Sequence, residues 1–391
     1  MKKSEDVVMR LIVYTNILTP YRKYFFDILS KKCQEKGIFF KVLLMSETEP
    51  NRNWKYDELK TDYTILLKNK SFDFNGIYIH YNPNLKEVIK DLNPTHIVCA
   101  GSYLCPGVNT ILNMKKKYNF ETYFWSESHL LEEKNNSKIK IVIRENIRNY
   151  IYKKFDGFWY AGKLSLDFIE KYANKKFKKI FVPNLVDNEI FDYHLFSDSI
   201  KNDVIEKYAL NNCKHIIICP ARLTYVKGID KFLDLISLSK YRKEISIIIP
   251  GNGELEKEIK RKAMQYEIDV RILGFLDQSE VAKLYSISNF FLMPSLSDPN
   301  PLTCIEALWE GLPLIVSEHV GNHKEVVKEN VNGFIFKYND DINKIDHILE
   351  KVIHWTDEDY KKAKLYSYTL ARKNYLAESV TERICIEMRE A

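Results

Sequence analysis

Glycine and proline are scarce in this sequence, 13 and 12 of 391 residues. That excludes collagen-like and low-complexity architectures. No internal repeat of solenoid or propeller period occurs. Cysteine is limited to positions 33, 99, 105, 213, 219, 304 and 385, and no two are spaced as CxxC. The odd count and the spacing speak against a disulfide framework and against a zinc site. Cys99 in HIVCA and Cys219 in IIICP sit inside apolar runs, where a thiol packs as a small hydrophobe. Such usage fits a reducing cytosol. No stretch approaches the roughly 20 apolar residues that span a bilayer. MKKSEDVVMR carries acids ahead of a short apolar run that ends at Thr15 and Asn16. It reads as the approach to a first strand, not as a signal peptide. Charge of one sign is not in large excess, at +6 net. The basic residues are dispersed and lack aromatic interleaving, which disfavours nucleic acid. An anionic substrate or an anionic membrane surface remains open.

What is present is a core. Apolar residues make up 45% and charged residues 29%, the balance of a packed globular chain. The length suits two domains of roughly 150–200 residues each. Short apolar runs alternate with amphipathic stretches, which predicts an α/β protein with parallel sheets. Strands are expected at 10–15, 39–45, 96–100, 121–125, 157–161 and 179–183, then at 215–220, 245–250, 270–274, 290–294, 313–317 and 333–336. Helices are expected between most of them, including 21–36, 84–91, 108–117 and 139–154. The segment 46–81 is irregular, with room for an edge strand or a variable loop. The polar stretch 188–203 after Pro183 reads as a linker. The expected division is 1–190, 191–370 and a final helix over 371–391. In that helix Leu376, Val380, Ile384 and Met388 form a stripe that either domain could bury. Two doubly wound domains imply a cleft, with chemistry on the loops after the strands.

Three such loops in the second half carry suitable residues. ARLTYVKGID places Arg222 and Lys227 beside Gly228, which opens a helix. Two cations at a helix N-terminus suit a diphosphate, and the spacing alone fits surface charges as well. PGNGE offers Gly251 and Gly253 for close backbone approach to a ligand, or simply a tight turn. It is not GxGxxG, and the first strand is followed by NILTPYRKY, so a nicotinamide dehydrogenase is disfavoured. SLSDPNPLTCIEALWEGLP suggests Asn300 as cap of a helix that begins at Pro301 and ends at Gly311. A helical wheel puts Glu306 at the edge of the apolar face and Glu310 further out. Glu306 could take both hydroxyls of a ribose, or be a solvated flanking acid. In the first half, TPYR caps a helix with Thr19 and Pro20, which brings Tyr21 and Arg22 to its N-terminus. Arg22 could hold an acceptor phosphate. WSESH follows a strand and carries Glu127 and His129. Either could orient an acceptor hydroxyl, although a lone histidine is often structural.

These loops resemble the retaining glycosyltransferases of family four, the glycosyl transferases group 1, in the GT-B fold. Arg222, Leu223, Lys227 and Gly228 match that family's RLxxxKG loop, and PGNGE matches its glycine turn. LGFLDQSEVAKLYSISNFFLMPS resembles the segment that lines the base pocket, including Gly274. GNHKEVVKENVNGFIF matches the next stretch, with Glu325 and Asn332–Gly333. FVPNLVDNEIF, TPYRKYFF and FWSESHL extend the likeness upstream. The family signature is Glu-x7-Glu; here the second acid is Glu306 and the first position is Asp298, one methylene shorter. The intervening glycines are absent from DPNPLTCIE.

The resemblance implies two Rossmann-like domains facing across a cleft and transfer of a sugar, with retention, from a nucleotide-sugar donor. It assigns the donor diphosphate to Arg222, Lys227, Gly228, Leu302 and Thr303, and the ribose to Glu306. Gly251, Gly253 and Gly274 fall to the donor base side. Tyr21 and Arg22 fall to the acceptor side, and Asp298, Glu127 and His129 to catalysis. No cofactor and no metal are implied. The expected acceptor is a glycan or lipid-linked glycan in surface polysaccharide assembly. The expected place is the cytoplasm, with peripheral contact at the inner membrane face allowed. A nucleotide-sugar epimerase and a non-catalytic glycan-binding or scaffold protein on this fold are the alternatives.

Overall fold

A computed structural model describes residues 8–49, 59–74, 77–130 and 138–390. They form two compact units. One runs to Leu185 and takes in the stretch from Ala377; the other is Val186–Leu376.

In chain order the first unit contains β1 (Arg10–Thr15), α1 (Pro20–Glu35), β2 (Phe39–Leu44) and β3 (Thr64–Leu66). A hairpin of β4 (Lys70–Phe74) and β5 (Ile77–Tyr81) follows. Then come α2 (Leu85–Leu92), β6 (His96–Ala100), α3 (Pro106–Tyr118) and β7 (Glu121–Ser126). The unit continues with α4 (Lys138–Tyr152), β8 (Gly157–Tyr160), α5 (Lys163–Ala173) and β9 (Lys178–Phe181). Seven of these strands pair in the order β3-β2-β1-β6-β7-β8-β9, and every pairing is parallel. Sheets covered by helices on both faces need strands that are apolar throughout. β1, with five consecutive buried residues, shows it. The irregular stretch 46–81 supplies the three-residue edge strand β3 and the antiparallel β4–β5 pair; residues 50–58 and 75–76 of that expectation lie outside the described residues.

The second unit contains α6 (Asp198–Lys207), β10 (Ile216–Ile218), α7 (Ile229–Ile236), β11 (Ser246–Pro250) and α8 (Glu256–Tyr266). It continues with β12 (Asp269–Gly274), α9 (Gln278–Ser286), β13 (Phe290–Met293), α10 (Leu302–Trp309) and β14 (Leu314–Ser317). It ends with α11 (His323–Val326), β15 (Gly333–Phe336), α12 (Ile342–His354) and α13 (Asp357–Tyr375). Its parallel sheet is ordered β12-β11-β10-β13-β14-β15. The expected linker 188–203 is helical from Asp198. Ser197 caps it by accepting from the Ile200 N–H, which gives this polar stretch a helix start.

The last helix, α14 (Ala377–Arg389), packs on α1 and β9 of the first unit. Val380, Ile384 and Met388 are buried there. Trp159 Nε1 donates to Met388 Sδ at 3.4 Å, and Cys385 Sγ lies 3.8 Å from Cys33 Sγ. Leu376 is not part of this stripe, because it is the extended residue that ends α13.

Candidate active site

Both sheets reverse strand order once, between β1 and β6 and between β10 and β13. The loops on either side of such a reversal part, and the crevice at the strands' carboxyl ends receives ligands in this architecture.

In the second unit these are the loops after β10 and β13. The β10 loop makes a single 3-10 turn over Tyr225–Lys227, and Gly228 starts α7 with φ +65°. A Cβ on Gly228 would stand 2.3 Å from the Pro294 carbonyl oxygen. Only glycine lets the two loops meet this closely. The Leu296 N–H donates to the Val226 carbonyl at 2.9 Å. This approach sets Lys227 Nζ 2.5 Å from Asp298 Oδ2, with both side chains largely buried. Arg222 on the same loop is exposed.

Asp298 is itself held. Its carbonyl accepts from the Gly321 N–H at 2.7 Å, and it bridges to Val320. Four residues on, α10 begins at Leu302 with Pro301 as N-cap and no side-chain cap. The expectation of an Asn300 cap and a Pro301 start is therefore off by one residue. Pro301 holds extended backbone angles, and Asn300 is buried before it. The amides of Leu302 and Thr303 open the helix, where N–H groups lack partners within it.

Glu306 is one turn further along and only 8% exposed. Its Oε2 accepts from Tyr285 OH at 3.0 Å. Burial pushes its carboxyl up to about 7, and the Tyr285 hydrogen bond holds it from going higher. Glu310 was expected further out, yet it is 1% exposed. The wheel considered one partner face, whereas α13 covers the other side of α10. Trp309 and Tyr368 rings lie 5.8 Å apart there. Burial drives the Glu310 carboxyl well above the usual range, and Asp192 adds to this. Among the described residues, neither of its oxygens has a hydrogen-bond partner.

The two glycines of PGNGE approach the neighbouring loop. Cβ atoms at Gly251 and Gly253 would stand 1.9 and 2.5 Å from the carbonyl oxygens of Ala221 and Leu223. The Leu223 N–H donates to the Asn252 carbonyl at 2.9 Å. They thus fix the base of the Arg222 loop. Gly274, with φ +75°, has open space on its side-chain side. Asn332 and Gly333 are structural: Asn332 Nδ2 donates to the Val326 carbonyl and Ser367 Oγ, each at 3.0 Å.

In the first unit the structure joins two motifs that are about a hundred residues apart. Thr19 is the N-cap of α1 by position, with Pro20 at its first turn, but its hydroxyl makes no capping bond. Tyr21 and Arg22 follow. Arg22 Nη2 donates to Glu127 Oε1 at 2.7 Å, and its guanidinium lies 3.7 Å over the Trp125 ring. Trp125 is wedged against Phe25 and Trp159. It is a rigid platform for Arg22, and nothing in the isolated motif WSESH singles it out. His129 is 1% exposed, inside the unit rather than on its surface.

At the strand reversal of this unit lies a polar group that sequence reasoning missed. Asn16 Nδ2 donates to Glu49 Oε1 at 3.0 Å, and His80 Nε2 is 3.4 Å from the same oxygen. A Cβ on Gly101 would stand 2.2 Å from Asn16 Oδ1. The available signal was position alone: Asn16 and Gly101 directly follow the first and third expected strands.

Comparison with known proteins bears on this arrangement. Residues 200–369 match the model of the family "Glycosyl transferases group 1". The matched stretch lies within the second unit. It contains Arg222, Lys227, Asp298 and Glu306 together. The chain is 26% identical over 330 residues to UDP-Gal:alpha-D-GlcNAc-diphosphoundecaprenol alpha-1,3-galactosyltransferase of Escherichia coli, covering 75% of this chain and 82% of that one. It is 30% identical over 122 residues to an uncharacterised glycosyltransferase of Methanocaldococcus jannaschii, a match that spans 30% of that relative's length. HepE of Anabaena in complex with UDP superposes with a TM-score of 0.73, covering 98% of this chain and all of that one at 14% identity. The fold is GT-B, two Rossmann-like units in one chain.

Proposed function

We propose that the chain transfers a sugar from a nucleotide-sugar donor, UDP-linked, to a hydroxyl of a glycan or lipid-linked glycan, with retention at the anomeric carbon. The setting proposed is surface-polysaccharide assembly at the cytoplasmic face of the membrane. The observation that carries this reading is the Lys227–Asp298 pair across the strand reversal of the second unit, with Glu306 one turn into the helix α10 that follows. The Escherichia coli relative is named for a UDP-galactose donor and a diphosphoundecaprenol acceptor, which supports the UDP and lipid-linked parts.

In this reading Lys227 leaves Asp298 for the donor diphosphate. Arg222 and the α10 N-terminus join it in stabilising the charge that builds on the leaving group. Glu306 receives the ribose hydroxyls. The bond from the anomeric carbon to the diphosphate oxygen breaks, and the acceptor oxygen bonds to the same face of that carbon. The acceptor proton passes to the departing phosphate oxygen. Arg22, held by Trp125 and Glu127, anchors the acceptor. No divalent ion has a part in this scheme.

UDP titration calorimetry on wild type, Lys227→Ala and Glu306→Ala, with UDP release from UDP-sugars as the activity readout, tests the assignment. Binding and turnover should collapse in both variants. Near-normal values in both would sink it.

A further inference from the structure

We propose that the outer face of α4 is a docking surface for anionic lipid bilayers. Among the described residues, the helix is anchored by one side. Tyr152 packs on Phe124 of β7 with ring centroids 5.5 Å apart. Arg148 is buried among the rings of Tyr103, Phe168 and Tyr172. A surface helix normally turns polar residues outward once its inner face is satisfied. Here Val142, Ile143, Ile147 and Tyr150 are 38 to 66% exposed, with the exposed Asn146 and Lys153 between them. At 100° per residue they fall within an arc of roughly 140°, opposite Arg148 and Tyr152. An interfacial helix has this distribution, with its apolar face sinking about 5–10 Å into the headgroup region.

The charge around the stripe selects the occupant. Among the described side chains from 142 to 154, the bases outside the core are Arg144, Lys153 and Lys154, against Glu145. Glu145 is already paired with Lys171 at 2.6 Å. Arg144 and Lys153 are exposed, and Lys154 Nζ lies 3.9 Å from the Tyr150 ring centroid. A second copy docking through this face would bring like charges together. Anionic headgroups complement them, each base near the surface contributing about fivefold in partitioning. α4 packs on β7, the strand that leads into Glu127, so docking holds the Arg22–Glu127 pair near a bilayer-borne acceptor. The purpose of the contact rests on the lipid-linked acceptor proposed above; the contact itself is measured without it.

The test is flotation of the full chain with vesicles of phosphatidylcholine containing about one-third phosphatidylglycerol. Wild type should float with these vesicles, stay behind with pure phosphatidylcholine, and detach at about 0.5 M salt. The double variant Ile143→Glu/Ile147→Glu should bind about tenfold more weakly or worse. Both side chains are exposed, so its melting temperature and its UDP affinity should be unchanged. Equal flotation of the variant, or equal flotation on pure phosphatidylcholine, overturns the proposal. So does a dimer that the double variant dissolves while wild type ignores vesicles. UDP binding without flotation sinks the docking surface alone; flotation without UDP binding sinks the donor reading alone.

Discussion

Lys227 Nζ lies 2.5 Å from Asp298 Oδ2, joining the loops on either side of the β10–β13 reversal. The cation proposed for the diphosphate is thus paired with a carboxylate, and under that proposal UDP competes with Asp298 for it. Asp298→Asn weakens that competitor. UDP affinity should rise, by about two- to fivefold for a partly exposed pair, while turnover falls at least about tenfold if Asp298 also acts on the sugar. Calorimetry beside steady-state kinetics separates the two effects. Weaker UDP binding in the variant would show that Asp298 positions Lys227 instead of restraining it.

Glu306 titrates near neutrality. Its carboxyl is raised by burial from 4.5 to about 7. A carboxylate accepts from both ribose hydroxyls, whereas a protonated acid loses part of that capacity. UDP affinity should therefore improve as pH rises through about 7. Stability runs the other way. The folded state holds the proton more tightly than the unfolded one, so the contribution is complete below 4.5 and is lost as pH rises through about 7. Glu306→Gln should flatten both profiles. Calorimetry and thermal melts from pH 5.5 to 8.5, a window set around neutrality, read the two opposed slopes. Parallel slopes would contradict the assignment.

The sheets were legible because helix-covered strands are continuous apolar runs: HIVCA and GFIF matched strands β6 and β15 residue for residue. Arg222, Lys227 and Asp298 were legible as residues on loops after strands, and Glu306 on the helix that follows. Their pairing was not, because it depends on the strand order β10-β13, which a linear pattern does not encode. Glu310 was misplaced for a related reason. A wheel reports how one helix divides its faces, and the covering helix α13 lies about fifty residues downstream. Trp125 sat unnoticed inside an apolar strand. Its role depends on Arg22 folding over it from a distant helix.

Glu310 is a stability test site. It is buried, its oxygens have no hydrogen-bond partner among the described residues, and its carboxyl is held well above the usual range. A buried carboxyl with unmet hydrogen bonds costs more than an apolar side chain of like length. Glu310→Met should stabilise the protein by about 1 kcal/mol, a rise of about 2–4 °C for a unit of this size. UDP affinity should not change. A melting temperature that falls would mean the carboxyl has a partner that apolar packing cannot replace.

Arg22 and Glu127 should act as a unit in transfer and not in donor binding. The guanidinium lies 3.7 Å over Trp125 while bonding Glu127 at 2.7 Å. Arg22→Lys keeps the charge but loses the planar contact with the ring. Arg22→Ala should lower kcat/KM for the acceptor by about 10²-fold, the scale of a lost charged positioning contact, and Arg22→Lys should recover only part of it. UDP affinity should stay at the wild-type value in both, since the proposed donor residues belong to the second unit. Glu127→Gln added to Arg22→Ala should cost little beyond the single change, because residues that share one interaction are not additive. Kinetics of the four proteins with a fixed donor decide this. A loss of UDP binding in Arg22→Ala, or fully additive effects, would move Arg22 off the acceptor side.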